Sequence, residues 1–144
     1  MPYHIRRACL MLCVTALLPA SVGCRSNKDR GIAGVVYTVP GLKQSILLTD
    51  IQKDKDYKPI GGAKVVLAFD KGGEKPVAGF EAESDGSGEY HIDTTNIPAP
   101  QIGDEYYLIV SKEGFAPITQ GVTIGSFSRY QRNTALLKPL ADMD

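Results

Sequence analysis

Ser84-Asp-Gly-Ser-Gly-Glu-Tyr-His-Ile-Asp93 joins an acidic, glycine-rich turn to the start of an alternating strand. Asp and Ser side chains cap tight turns and glycine accepts positive φ, so the segment predicts a hairpin corner looping over Asp85 to Glu89. Just upstream, Val77 to Ser84 sets Phe80, Ala82 and Ser84 on one face and Glu81 and Glu83 on the other. If Tyr90 and Ile92 continue that inward face, Glu83 stands opposite His91.

Working outward, Gly62-Ala-Lys-Val-Val-Leu-Ala-Phe-Asp70 alternates Ala63, Val65, Leu67 and Phe69 with Lys64 and Asp70, the period of a half-buried strand. Tyr106-Tyr-Leu-Ile-Val-Ser-Lys-Glu-Gly-Phe115 predicts another strand, then a glycine turn and a large apolar anchor. Gly31 to Val39 is rich in β-branched residues and stops at the turn pair Pro40-Gly41. Leu42 to Ile60 is a longer connection, with a short strand expected near Ser45 to Ile51 and an exposed charged loop after it. Thr94 to Gln101, with Pro98 and Pro100, predicts an irregular crossover. Val122 and Ile124 mark a further strand, Phe127 and Tyr130 follow a Gly-Ser turn, and Asn133 to Pro139 closes the chain. Six to seven short strands punctuated by turns imply an all-β, two-sheet β-sandwich with an Ig-like outline.

The amino terminus has a different character. Arg6 and Arg7 precede an apolar run, Cys9 to Leu18, that is too short to span a bilayer comfortably, as in a secretion signal. The small residues of Ala20-Ser-Val-Gly-Cys24 resemble the lipobox of bacterial lipoproteins, although Ser21 stands where that box usually has Leu. The resemblance implies a signal peptide over residues 1–23, lipid chains on Cys24 and a polar tether over 24–30. Ordinary cleavage near Ala20 or Gly23 is the alternative, and it would leave Cys24 an unpaired thiol in an oxidising compartment. Of the three cysteines, Cys9 and Cys13 lie in the leader, so a lipidated Cys24 leaves the mature chain without thiol or disulfide. Arg25 after the cysteine implies, by enteric sorting rules, an outer-membrane location facing the periplasm or cell surface.

Removing Arg6 and Arg7 takes the 16 basic residues to 14 against 16 acidic ones, a net charge of −2. The remaining lysines are mixed with Asp and Glu rather than gathered in a cationic stripe, so nucleic acid is not expected as a partner.

In order, Gly34-Val-Val36, Pro59-Ile-Gly-Gly-Ala-Lys-Val-Val-Leu67, Ser84 to Tyr90, Tyr106 to Phe115 and Asn133-x-x-Leu136 resemble the carboxypeptidase regulatory-like domain. That domain is a transthyretin-like sandwich, and the resemblance covers about residues 31–140, leaving 141–144 as a tail. It implies a scaffold found beside peptidases, in transporter extensions or alone in envelope lipoproteins. The long connection from Pro40 to Ile60 departs from the family's brief link.

The catalytic alternatives are thin. Ser87, His91 and Glu83 suggest a triad, but His91 is expected on a solvent face beside a turn. The chain also lacks the Tyr-Arg-Gly-Ser-like tail of transthyretin-like hydrolases, ending instead in Lys138 to Asp144. Asp50, Asp54 and Asp56 form one candidate cation or binding loop, and Asp85, Ser87 and Glu89 another. Neither has EF-hand spacing, Lys53 and Lys55 offset the first, and turn capping explains the second. Zinc is not indicated, and no cofactor is expected. Asn133 would suit a Lys-Asn isopeptide, but the first strand offers no lysine.

Tyr106-Tyr-Leu-Ile-Val110 is apolar on both faces, so the outward Tyr107 and Ile109 are covered by Ile46 to Leu48, by another protein, or by nothing. The sequence thus leads to a non-catalytic, membrane-anchored envelope module that binds a protein or glycan. An accessory subunit of a secreted peptidase or outer-membrane transporter is the alternative, with a small hydrolase behind both.

Overall fold

The computed structural model describes residues 30–101, 103–124 and 130–142. The expected leader, Cys24, the tether up to residue 29, Phe127 and residues 143–144 lie outside them.

Nine strands are described: β1 (Gly31–Thr38), β2 (Ile46–Thr49), β3 (Lys58–Pro59), β4 (Lys64–Ala68), β5 (Pro76–Glu83), β6 (Glu89–Asp93), β7 (Tyr106–Ser111), β8 (Ile118–Val122) and β9 (Gln131–Leu136). They form an all-β, two-sheet sandwich. The first sheet runs β2-β9-β1-β3, with β6 also on β1, and the second runs β5-β4-β7-β8. Every pairing is antiparallel except that of β1 with β9, which places Gly34 beside Asn133 and Val36 beside Ala135. Among the described residues no helix is long and apolar enough to cross a membrane.

Alternation sets the core. Ile32 and Val36 from β1, Val65 and Leu67 from β4, Tyr90 and Ile92 from β6, and Tyr106, Leu108 and Val110 from β7 point between the sheets and are buried. Burying a side chain of this kind is worth about 1.5–3 kcal/mol, so these residues supply the main cohesion of the fold. Phe115, after Gly114 at φ 83°, packs against the rim of the core and bridges to Pro139. The strand expected around Val122 and Ile124 begins earlier, at Ile118, and Ile124 lies beyond it.

The corner at Ser84–Asp93 differs from the hairpin reading. Its two strands belong to different sheets: Glu83 pairs with Lys64 of β4, whereas His91 pairs with Ala33 of β1, so Glu83 is not opposite His91. The reason is a set of bonds to both sheets. Ser84 Oγ donates to the Ile60 carbonyl at 2.7 Å and accepts from the Ala63 amide at 2.9 Å, which fixes the turn to the entry of β4. At the other end the Gly88 carbonyl accepts from the Val36 amide at 2.8 Å. Gly88, rather than Gly86, holds the positive φ, at 82°, and a Cβ there would stand 2.5 Å from the Val36 carbonyl oxygen. Only glycine fits so close an approach.

The connection from Pro40 to Ile60 folds over the outer face of the first sheet. Val35, Tyr37 and Leu136 form a second apolar cluster there, covered by Val39, Leu42, Leu48 and Tyr57. Thr134, fully buried, pins the connection: its hydroxyl donates to the Asp50 carbonyl at 2.8 Å and accepts from the Gln52 amide at 2.7 Å. The Asp50 amide also donates to the Arg132 carbonyl, and Asp50 itself turns the chain at φ 67°.

Candidate functional site

The acidic turn is occupied with its own structure. Asp85 Oδ1 accepts from the Ser87 amide at 2.9 Å, the Ser87 hydroxyl at 2.8 Å and the Glu89 amide at 2.9 Å. Those bonds, the Ser87 hydroxyl first and then the backbone amides, hold the Asp85 carboxyl below its ordinary value. The Ser87 hydroxyl therefore donates to Asp85, while His91 lies in register with Ala33 and Glu83 with Lys64. The three residues of the imagined triad make no hydrogen bond to one another among the described residues.

Asp50, Asp54 and Asp56 are all exposed on the covering connection. Asp54 Oδ1 accepts from the Asp56 amide at 3.3 Å and the Asp54 carbonyl from the Tyr57 amide at 3.1 Å, so these residues shape a turn. Among the described residues, no three His, Cys, Asp or Glu side chains gather to hold a metal ion.

Tyr107 and Ile109 are half-buried on the outer face of the second sheet, where Ile109 is in register with Val66 and Thr119. The Ile46 to Leu48 segment does not cover them, because β2 pairs with β9 in the first sheet. What approaches Ile109 is the Asp70–Lys75 turn: a Cβ on Gly73 would stand 2.8 Å from Ile109 Cδ1. The Tyr107 hydroxyl donates to Glu105 at 3.3 Å, and desolvation followed by the Glu105 charge raises its phenol above the ordinary value.

Tyr90 crosses Gly34 toward Asn133 in the core, and a Cβ on Gly34 would meet the Tyr90 ring and the Asn133 carbonyl at 2.6 Å. Burial pushes the Tyr90 phenol up, and Asn133 offsets part of the rise. The distance and angle of a formed hydrogen bond are nevertheless not reached by Tyr90 Oη or Asn133 Nδ2, so proximity rather than a bond describes the pair.

The sequence reading missed a stack on the outer face of the first sheet. Tyr130 lies against His91, ring centroids 5.6 Å apart and planes 20° apart, with the Arg132 guanidinium 6.0 Å from its centroid. The signal was the outward period shared by Tyr130, Arg132 and Thr134, set beside His91 on β6. Next to the stack a groove of about 450 Å³ wraps the β6 edge, lined by Ala33, Val35, Ile51, Glu89, His91 and Tyr130 among others.

The architecture defines the class: an all-β protein of two packed sheets whose inter-sheet turn, not a hairpin, organises the chain. No protein-family model matches this chain, and no curated protein or solved structure matches it either.

Proposed function

We propose that this protein is a non-catalytic envelope lipoprotein, anchored through lipid on Cys24, whose sandwich acts as a binding or structural module. The observation that carries the reading is the use of Ser87: its hydroxyl donates to Asp85 within a turn that joins the two sheets, which supports a scaffold role for the residues a hydrolase would need. The resemblance to the carboxypeptidase regulatory-like domain supports it further, since the motifs behind that resemblance fall on β1, β4, the inter-sheet turn, β7 and β9. The lipobox-like run before Cys24 supports the anchor.

The half-buried outer face at Val66, Tyr107 and Ile109 favours a second reading, an accessory subunit docked on a secreted peptidase or an outer-membrane transporter.

In-cell crosslinking of the tagged protein in its native envelope, followed by mass spectrometry with Cys24→Ala as control, tests both. Wall or glycan fragments lost in the control support the module. One reproducible protein partner, crosslinked through Tyr107 or Ile109, supports the accessory subunit. Membrane retention unchanged in Cys24→Ala refutes the anchor, and substrate turnover abolished by Ser87→Ala or His91→Ala refutes the non-catalytic assignment.

A further inference from the structure

The free edges of the two sheets are not alike. Among the described strands they are β2, β3 with β6, β5 and β8. An edge strand offers unpaired amides and carbonyls to any other chain, and charge, proline, bulges or brevity normally blunt it. β5 carries Pro76, Gly79 at φ 82°, a register shift against β4, and exposed Glu81 and Glu83. β3 is Lys58–Pro59, and β6 shows exposed Glu89 and Asp93. β2 has four residues and runs into Asp50, which turns the chain at φ 67°.

β8, Ile118-Thr-Gln-Gly-Val122, lacks charge and internal proline, and its pairing with β7 runs in unbroken register. The sequence around it is uncharged from Gly114 to Ser128. Ser45 Oγ donates to the Ala116 carbonyl at 2.7 Å just before the strand, and Gln131 Nε2 donates to the Thr123 carbonyl at 2.6 Å just after it. Between those ties, Ile118 to Val122 make no backbone bond outside the β7 ladder among the described residues, and Gln120 and Gly121 are exposed. We infer that this open edge pairs with β8 of a second copy of the chain, antiparallel and centred on Gln120, an association that needs neither the lipid nor the envelope reading above.

The occupant follows from charge. In a two-fold pair a strand meets itself reversed, so a strand with charges of one sign repels its own copy. Centred in the same way, β6 would set Glu89 against Asp93 and β5 would set Glu81 against Glu83. β8 instead sets Ile118 against Val122, Thr119 against Gly121 and Gln120 against Gln120. A Gln side chain carries both donor and acceptor, so it can pair with its own copy. A charged strand from another protein finds no opposite charge on β8 to select it.

The outer face fits the same register. Gly121 is paired with Tyr107 and Thr119 with Ile109, and a Cβ on Gly121 would stand 3.9 Å from Tyr107 Cε1, so the ring lies close to the edge. Pairing brings Thr119 of one copy beside Gly121 of the other, which gives the Tyr107 ring a methyl neighbour across the seam. The pair also closes: each copy uses its one open edge in this sheet, and the opposite edge, β5, is blocked, so association stops at a dimer instead of growing into a fibre. A five-residue seam is smaller than a standard interface of about 1,600 Å² of buried surface, so the dimer is expected to dissociate readily on dilution.

The test places Gln120→Cys in the full chain, in cells that make it natively, adds copper phenanthroline as oxidant and reads a non-reducing gel. Residues directly opposite in an antiparallel pair have Cα atoms about 4.5–5.5 Å apart, within disulfide reach. A linked dimer is expected from Gln120→Cys, about ten-fold above the background from the unsubstituted chain, with Glu81→Cys on β5 staying at background. Absence of that dimer, equal dimer from both variants, or a disulfide from position 120 to a different protein overturns the pairing. In sedimentation of the purified full chain, Gln120→Glu and Gln120→Lys are each expected to weaken the dimer about ten-fold by facing like charge with like, and an equimolar mixture of the two is expected to restore it. Unchanged thermal midpoints separate loss of the seam from loss of the fold, because Gln120 is exposed. A mixture no better than either variant alone overturns the pairing, and every outcome leaves the envelope reading to its own crosslinking test.

Discussion

On the outer face of the first sheet, Val35, Tyr37 and Leu136 are buried beneath Val39, Leu42, Leu48 and Tyr57. On the outer face of the second, Val66, Tyr107 and Ile109 stay half-exposed, and the turn at Gly73 leans on Ile109. Both faces are apolar by sequence, and what separates them is the connection attached nearby. Leaving β1 at Pro40, the chain has twenty residues in which to fold back, and Thr134 gives the returning segment two hydrogen bonds. Strands β4 and β5 are joined by a short glycine-rich turn that approaches Ile109 at Gly73 and pairs Lys75 with Asp104. Cover is therefore a property of loop length and anchorage, not of strand hydrophobicity alone.

The contrast can be broken most directly at Tyr37, which is 8% exposed and packs against Tyr57 with centroids 5.5 Å apart. Tyr37→Ala is expected to cost about 3 kcal/mol in urea unfolding, in the range for a buried aromatic cut to alanine. A loss below about 1 kcal/mol would mean that the connection does not cover this face in solution.

Thr134→Val keeps the shape and removes both hydrogen bonds. It releases the part-buried Asp50 carbonyl and Gln52 amide at a cost of about 0.5–1.5 kcal/mol, and amide exchange at Gln52 should accelerate more than exchange in β7. Uniform acceleration would show that the connection and the sandwich unfold as one unit.

Tyr107→Ala, on the uncovered face, should cost under about 1 kcal/mol, because the side chain is already half in water. A loss matching that of Tyr37→Ala would erase the distinction between the faces.

The smallest effect concerns acid. The Asp85 carboxyl is held below its ordinary 3.8 by the Ser87 hydroxyl and backbone amides, and Asp93 is held low by the Thr95 hydroxyl and amide, then by His91. A depressed folded-state value stabilises the fold fully above 3.8, and that contribution is lost as pH falls through the lower folded value. Thermal midpoints should therefore be flat near neutrality and decline below about pH 4, the ordinary carboxyl range. Asp85→Asn should shallow that decline, and an identical decline in the variant would remove the turn from the acid response.

Much of this architecture is written in local pattern. The alternation of Ala63, Val65 and Leu67, of Tyr90 and Ile92, and of Tyr106, Leu108 and Val110 placed the strands and their inward faces as the structure has them. What the pattern does not contain is which strands are neighbours. The Asp85–Gly88 turn has hairpin chemistry, but its partners are Ile60, Ala63 and Val36, and nothing near Ser84 in sequence announces them. The same holds for the candidate sites. Tyr107 and Ile109 were legible as outward apolar residues because the period is local, whereas the Tyr130–His91–Arg132 stack joins strands that only the β1 register brings together. Val35 and Tyr37 carried the same two-faced signal as Tyr107 and Ile109, and the long connection after them was the clue to their cover.

The parallel contact between β1 and β9 has a consequence for how the protein comes into being. Ile32 rests beside Gln131, and the other side of β1 waits for β3 and β6, so β1 finds its β9 neighbour only after β2 to β8 have been made. Closing so long a loop is entropically costly and slow. Until then Val35, Val36 and Tyr37 are exposed on a nascent chain, and a pathway that holds the polypeptide extended until β9 is available would spare it premature collapse.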